Sequence, residues 1–158
     1  MSPFVRRGAL ACALLTLLAG CSNGVEVDAP DLDRAERTAC DELLALLPDE
    51  MEELDETEVS PDDAPARAWG DPAVIVTCGV SMPDDFDETS PCEEINGVGW
   101  FVRSDEFGDA QADLDMTTIG FAPAVRLQVP AEHRPPAGVM VTVSDAVKAT
   151  LKRTGRCA

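Results

Sequence analysis

The chain has 158 residues, of which 30 are acidic and 12 basic, giving a formal charge of −18. So acidic a balance argues against nucleic-acid binding, which needs cationic neutralisation of phosphates, and against adsorption to anionic headgroups through lysine and arginine. The length suits one domain with a core of ordinary size.

The N-terminus has three zones. Residues 1–8 carry Arg6 and Arg7 and no acid, residues 9–18 are apolar apart from Thr16, and Leu18-Ala19-Gly20 leads into Cys21. A positive start, a short apolar run and small residues before a cut describe a secretory signal peptide. The run is too short to span hydrocarbon, which takes about 20 residues. Leu18-Ala19-Gly20-Cys21 resembles the bacterial lipobox, an aliphatic residue and two small ones before a cysteine that takes lipid. The expectation is a signal peptide over residues 1–20 and a lipidation site at Cys21. Two acyl chains such as palmitate anchor firmly where a single chain is marginal. The address is the cell membrane, on its extracytoplasmic face. Loss of the signal, with its two arginines, takes the mature charge to about −20. The anchor would thus hold the domain near a surface that its charge avoids.

Residues 22–32 are polar and aperiodic, so residues 21–33 read as a tether and residues 34–158 as a single globular domain. Asp33 can cap a helix, and Cys40, Leu43, Leu44 and Leu47 line one face of it. That spacing predicts a helix over residues 34–47, stopped by Pro48. Residues 49–63 are acidic and read as a solvated connection, with a short strand near residues 57–60. Trp69-Gly70-Asp71-Pro72 reads as a turn. Residues 73–80 are continuously apolar and β-branched, which predicts a central strand buried on both faces. Residues 82–91 read as a loop, and residues 92–103 as a second strand with a bulge or bend at Asn96-Gly97. After a polar turn at residues 105–112, Leu114, Met116 and Thr118 mark a third strand. Val125, Leu127 and Val129 alternate as a fourth. A helix is expected over residues 138–154, with Lys148, Lys152 and Arg153 at its basic end and Gly155 as its stop. The fold class is α+β: about four mostly antiparallel strands with an N-terminal and a C-terminal helix packed on the sheet, stapled by disulfides.

Cys12 leaves with the signal. Cys40, Cys78, Cys92 and Cys157 remain, an even number in an oxidising compartment, which favours two disulfides. Zinc would need closely spaced cysteine pairs with histidines, and His133 is the only histidine, so no metal site is expected. Sequence cannot choose among the possible pairings. The preferred one is Cys78–Cys92, closing a short acidic loop, with Cys40–Cys157, tying the first helix to the chain end because termini often lie close together.

Several of these segments together are similar to one family. Cys21, Trp69-Gly70-Asp71-Pro72, Thr77-Cys78-Gly79-Val80, Asn96-Gly97-Val98 with Trp100, and Cys157 resemble the actinobacterial small lipoproteins of domain of unknown function 3515. The resemblance covers most of the chain from about Cys40 to Cys157. It implies an address and a fold, not an activity. The family pattern leads one to expect Tyr-Gly-Arg near the third strand, where this chain has Ile119-Gly120-Phe121.

No catalytic constellation is visible. A serine nucleophile would have to use His133, which sits in Glu132-His133-Arg134-Pro135-Pro136, and no nucleophile motif surrounds any serine. No phosphate loop or dinucleotide fingerprint is present, so no cofactor is expected. Trp69 and Trp100 could line a groove, but core packing is the more usual use of such area. The expectation is a non-catalytic binding or interaction module of the cell envelope, held to the membrane through Cys21 and meeting an envelope protein or a small ligand. The alternative is an acidic, calcium-responsive module near the loop before Cys92. A third reading is an enzyme with an unrecognised carboxylate site.

Overall fold

The computed structural model describes residues 24–157 apart from residue 88. Residues 1–23, with the expected signal peptide and Cys21, lie outside the described residues. No described helix is long and apolar enough to cross a membrane.

In chain order the first elements are β1 (Val25–Glu26), α1 (Arg34–Leu44), β2 (Glu50–Met51), β3 (Leu54–Thr57), β4 (Val59–Ser60), β5 (Ala66–Trp69) and β6 (Val74–Val80). Then come β7 (Cys92–Ile95), β8 (Val98–Val102), α2 (Ser104–Gly108), β9 (Leu114–Ile119), β10 (Phe121–Ala122) and β11 (Ala124–Val129). A 3-10 turn at Ala131–His133, α3 (Ala137–Thr150) and β12 (Lys152–Arg153) complete the chain. Eight strands form one sheet in the order β2-β3-β5-β6-β11-β9-β8-β7, with every neighbouring pair antiparallel. Two small ribbons flank it, β1 parallel to β4 and β10 antiparallel to β12.

The α+β class stands, but the sheet has eight strands where about four were expected. The extra ones come from segments whose side chains hide them. β3 and β5 read Leu-Asp-Glu-Thr and Ala-Arg-Ala-Trp, without the β-branched alternation that marks a strand. The expected single strand over residues 92–103 is a hairpin. Asn96 and Gly97 have φ of 51° and 81°, the paired positive values of a tight two-residue turn that folds β7 back on β8. The last helix is shorter than expected, ending at Thr150. Beyond it Thr154 and Gly155 donate to the Gly120 carbonyl at 2.8 and 3.1 Å, so tertiary pairing overrides the helical pattern of the basic end.

Both main helices cover one face of the sheet and touch each other. α1 opens on a capping box. The Asp33 carboxylate accepts from the backbone of Ala35 and Glu36 at 2.7 and 2.9 Å, and Glu36 accepts from Asp33 N–H at 2.9 Å. Its regular turns stop three residues short of the expected end, though Leu47 stays buried. Arg67 Nη1 donates to the carbonyls of Leu44 at 3.2 Å and Leu47 at 2.6 Å, satisfying groups that a helix end leaves unpaired. Under the helices lie Val74, Val76, Leu127, Val129, Met116 and Val98. Trp69 and Trp100 are fully buried there, their indole N–H groups donating to the Pro48 carbonyl at 3.0 Å and Ser144 Oγ at 3.1 Å. They are core, not groove.

The disulfides correct the expected pairing. Cys40 joins Cys78, and Cys92 joins Cys157. α1 lies across β6, so the buried helix stripe brings Cys40 onto the central strand rather than to the chain end. The C-terminal tail, turned by β12, runs to the other side of the sheet. There both sulfurs of Cys92–Cys157 sit 2.6–2.9 Å from where a Cβ on Gly99 would be. The tether reading also changes. From Gly24 onward the segment is laid on the domain, with Val25 N–H donating to the Glu58 carbonyl at 2.8 Å and Val27 N–H to that of Ser60 at 2.9 Å.

Candidate functional site

The face of the sheet away from α1 and α3 has different chemistry. Alternation along each strand sends every second residue there. Register then assembles a cross-strand row, Ala66–Thr77–Arg126–Thr117–Phe101–Cys92, running from β5 to β7. Arg126 stands near its centre, flanked by Thr77 and Thr117, which are almost fully buried. β6 is the expected central strand, with Val74, Val76 and Cys78 buried toward the helices and Thr77 buried toward this row.

A cleft of about 310 Å³ opens over the row. Its floor is Thr117, Asp115 and Arg126. Arg103 closes one side, Val80, Ser81 and Pro83 another, and Asp28 and Pro30 of the N-terminal segment a third. Two further hollows continue it along the same face. One, of about 420 Å³, shares Arg103 and includes Phe101 and Asp85. The other, of about 350 Å³, lies between Phe86, Ile119 and the Cys92–Cys157 bridge. Phe86 packs edge-on against Phe101 at 5.4 Å, fixing the loop that separates them.

Two ion pairs organise the cleft. Arg126 Nε donates to Asp115 Oδ1 at 2.7 Å and its Nη2 to Asp115 Oδ2. Arg103 Nε and Nη2 grip Asp85 at 2.6 and 2.8 Å, and its Nη1 lies 3.5 Å from Glu106 Oε1. The Asp115 hydrogen bond raises the Arg126 guanidinium further above its already high ordinary value, opposed by burial and by the neighbouring charge of Arg103. Arg103 is raised by Asp85 in the same way. The hydrogen bond from Arg103 holds the Asp85 carboxyl below the ordinary carboxylate value. Asp87 is also lowered, by the hydroxyl and backbone N–H of Thr89 and then by Ser90, which close a turn in the same loop.

Other residues singled out in the sequence lie elsewhere. His133 is half-buried, its Nε2 2.8 Å from the Pro72 carbonyl oxygen, which ties the 3-10 turn to the β5–β6 connection. Among the described residues no three His, Cys, Asp or Glu side chains gather as metal ligands. In the acidic stretch after α1, Asp49 and Glu56 are held by Arg67. The loop before Cys92 is not closed by Cys78, and its Asp85 and Asp87 are already engaged. Of the Ile119-Gly120-Phe121 segment, Ile119 lines the third hollow, while Phe121 is buried in the core cluster with the Arg153 guanidinium 5.2 Å above its ring. The departure at residue 121 thus falls outside the cleft.

Arg103, Arg126 and Asp115 of the cleft, and Asp85 of the adjoining hollow, were not singled out in the sequence. Arg126 carries a readable signal, since Val125, Leu127 and Val129 alternate into the core and leave residue 126 on the far face. The Arg103–Asp85 pair joins a strand end to a loop and has no local signature.

A family model described as a protein of unknown function (DUF3515) matches residues 8–155. No curated protein and no solved structure matches the chain.

Proposed function

The chain belongs to the DUF3515 family, and on that premise we propose that it is a lipid-anchored, extracytoplasmic protein of the cell envelope whose domain is a non-catalytic binding module. The cleft on the uncovered sheet face is its binding surface. The observation that carries this reading is the asymmetry of the sheet. One face is closed by two helices, and the other holds a concave, charged surface on adjoining strands, a setting that keeps side chains in place for recognition. The anchor rests on Leu18-Ala19-Gly20-Cys21 and the apolar run before it, all within the residues that the family model matches.

Two measurements test the halves of the proposal. Replacing Cys21 with serine is expected to abolish metabolic labelling by palmitate and to release the protein from the membrane fraction. Retained labelling would overturn the anchor. A photo-crosslinking residue at Ser81, on the cleft rim, is expected to give a discrete adduct in the envelope, while one at Val141, exposed on α3, gives none. Equal adduct patterns from both positions would remove the cleft as the binding surface.

A further inference from the structure

The arginines of this chain divide by what holds them. Arg67 directs Nε, Nη1 and Nη2 to Glu56, Asp49 and the carbonyls of Leu44 and Leu47, so every nitrogen is tied into the fold. Arg134 Nη1 donates to the carbonyls of Glu106 at 3.2 Å and Ala112 at 3.0 Å. Arg126 differs. Asp115 takes its Nε and one N–H of Nη2, and among the described residues Nη1 has no hydrogen-bond partner. Its side chain keeps 37% exposure, and it lines the cleft. A guanidinium gripped along one edge is rigid, and its remaining edge carries parallel N–H groups spaced to fit a carboxylate or phosphate. Arg103, gripped along the same Nε–Nη2 edge by Asp85 and with its Nη1 3.5 Å from Glu106 Oε1, adds a second guanidinium to the same cleft.

The rest of the wall narrows the ligand. Pro30, Val80 and Pro83 are apolar, and the Ser81 hydroxyl can donate. Asp28 and Asp115 also line the cleft, inside a domain of strongly negative charge. A dianion meets more repulsion there than a monoanion, and long-range attraction does not assist either. Affinity must therefore come from contact: an oxyanion on the free guanidinium edge with an apolar group against the prolines. On the reading of the cleft as a binding surface, we infer that it takes a monoanionic carboxylate bearing an apolar substituent, held by Arg126 with Arg103 as second cation.

The test uses the chain without its expected signal peptide and lipid, residues 22–158 with the disulfides intact, and three probes: N-acetyl-leucine, its neutral amide, and inorganic phosphate. Backbone amide resonances are followed by heteronuclear NMR up to millimolar probe. N-acetyl-leucine is expected to shift Ser81, Thr117 and Arg126 with saturation, the amide at least tenfold more weakly. Arg126→Gln is expected to abolish the response, and Arg126→Lys to keep part of it, with the spectrum elsewhere unchanged. Equal shifts from acid and amide would show apolar recognition only and overturn the inference. Stronger binding of phosphate would replace carboxylate by a tetrahedral anion and overturn it as well. Silence from all three probes overturns the ligand class, whereas the binding-surface reading stands or falls separately on the Ser81 crosslink.

Discussion

The two faces of the sheet are built from the same strands and differ in almost everything else. On β11, Val125, Leu127 and Val129 are fully buried beneath the helices, while Arg126 and Gln128, one residue away, remain partly open. On β9, Leu114 and Met116 go to the core and Asp115 to the cleft. The disulfides follow the same division. Cys40–Cys78 is wholly inaccessible inside the core, and Cys92–Cys157 sits half-buried on the opposite side, beside a hollow. The lesson is that strand alternation separates the packed core from the charged cleft here, so each can be altered without touching the other.

The largest break in that comparison comes from the core. Trp100→Ala removes a fully buried ring and leaves the Ser144 hydroxyl without its indole donor. The expected loss is about 3–5 kcal/mol of unfolding free energy, read by urea denaturation. Next come the disulfides. Replacing Cys40 and Cys78 together by alanine is expected to cost about 2–5 kcal/mol. Accessibility separates the two bridges further. Alkylation after stepwise reduction is expected to trap Cys92 and Cys157 before Cys40 or Cys78, and the reverse order would contradict the burial difference. Gly120→Ala is smaller, about 1–3 kcal/mol, because residue 120 has a φ of +75° and a new Cβ would lie 2.5 Å from the Gly155 backbone. Its readout is the melting temperature, with unchanged melting as the contrary result.

How much of this was legible depends on which face is considered. The core face wrote itself into the sequence. The stripe of Cys40, Leu43, Leu44 and Leu47, the run around Val74–Val80 and the alternation of Val125, Leu127 and Val129 are local patterns with a single physical cause, apolar burial. The uncovered face left weaker marks. β5 shows alanines on that face, and β7 carries Glu93 and Glu94 at the sheet edge, where charge protects against unwanted strand pairing. The Asn96-Gly97 turn was legible as a hairpin, and reading it as a bend merged two strands into one. The cystine pairing was not legible, because it depends on where α1 crosses the sheet and on the return of the tail past Gly99. The Arg103–Asp85 pair likewise needs the loop of residues 81–91 folded over the strand end.

The smallest expected effect belongs to that last pair. The Asp85 carboxyl is held below its ordinary value of 3.8 by Arg103. A carboxyl depressed in the folded state contributes fully above its unfolded value, and the contribution is lost as pH falls through the lower, folded one. The pair should therefore be intact at neutral pH and open only below about pH 4. Asp85 is solvent-exposed, so global stability should barely register its opening. The measurement is local: the Arg103 Nε–H resonance followed from pH 7 to pH 2. It is expected to move with a midpoint below 3.8, and Asp85→Asn should remove that step while leaving the core resonances in place. A midpoint above 3.8, or a step that survives Asp85→Asn, would show that Asp85 is not the group whose titration Arg103 reports. The outcome bears directly on the two faces, because a cleft whose charges titrate without disturbing Trp69 or Trp100 is energetically separate from the core beneath it.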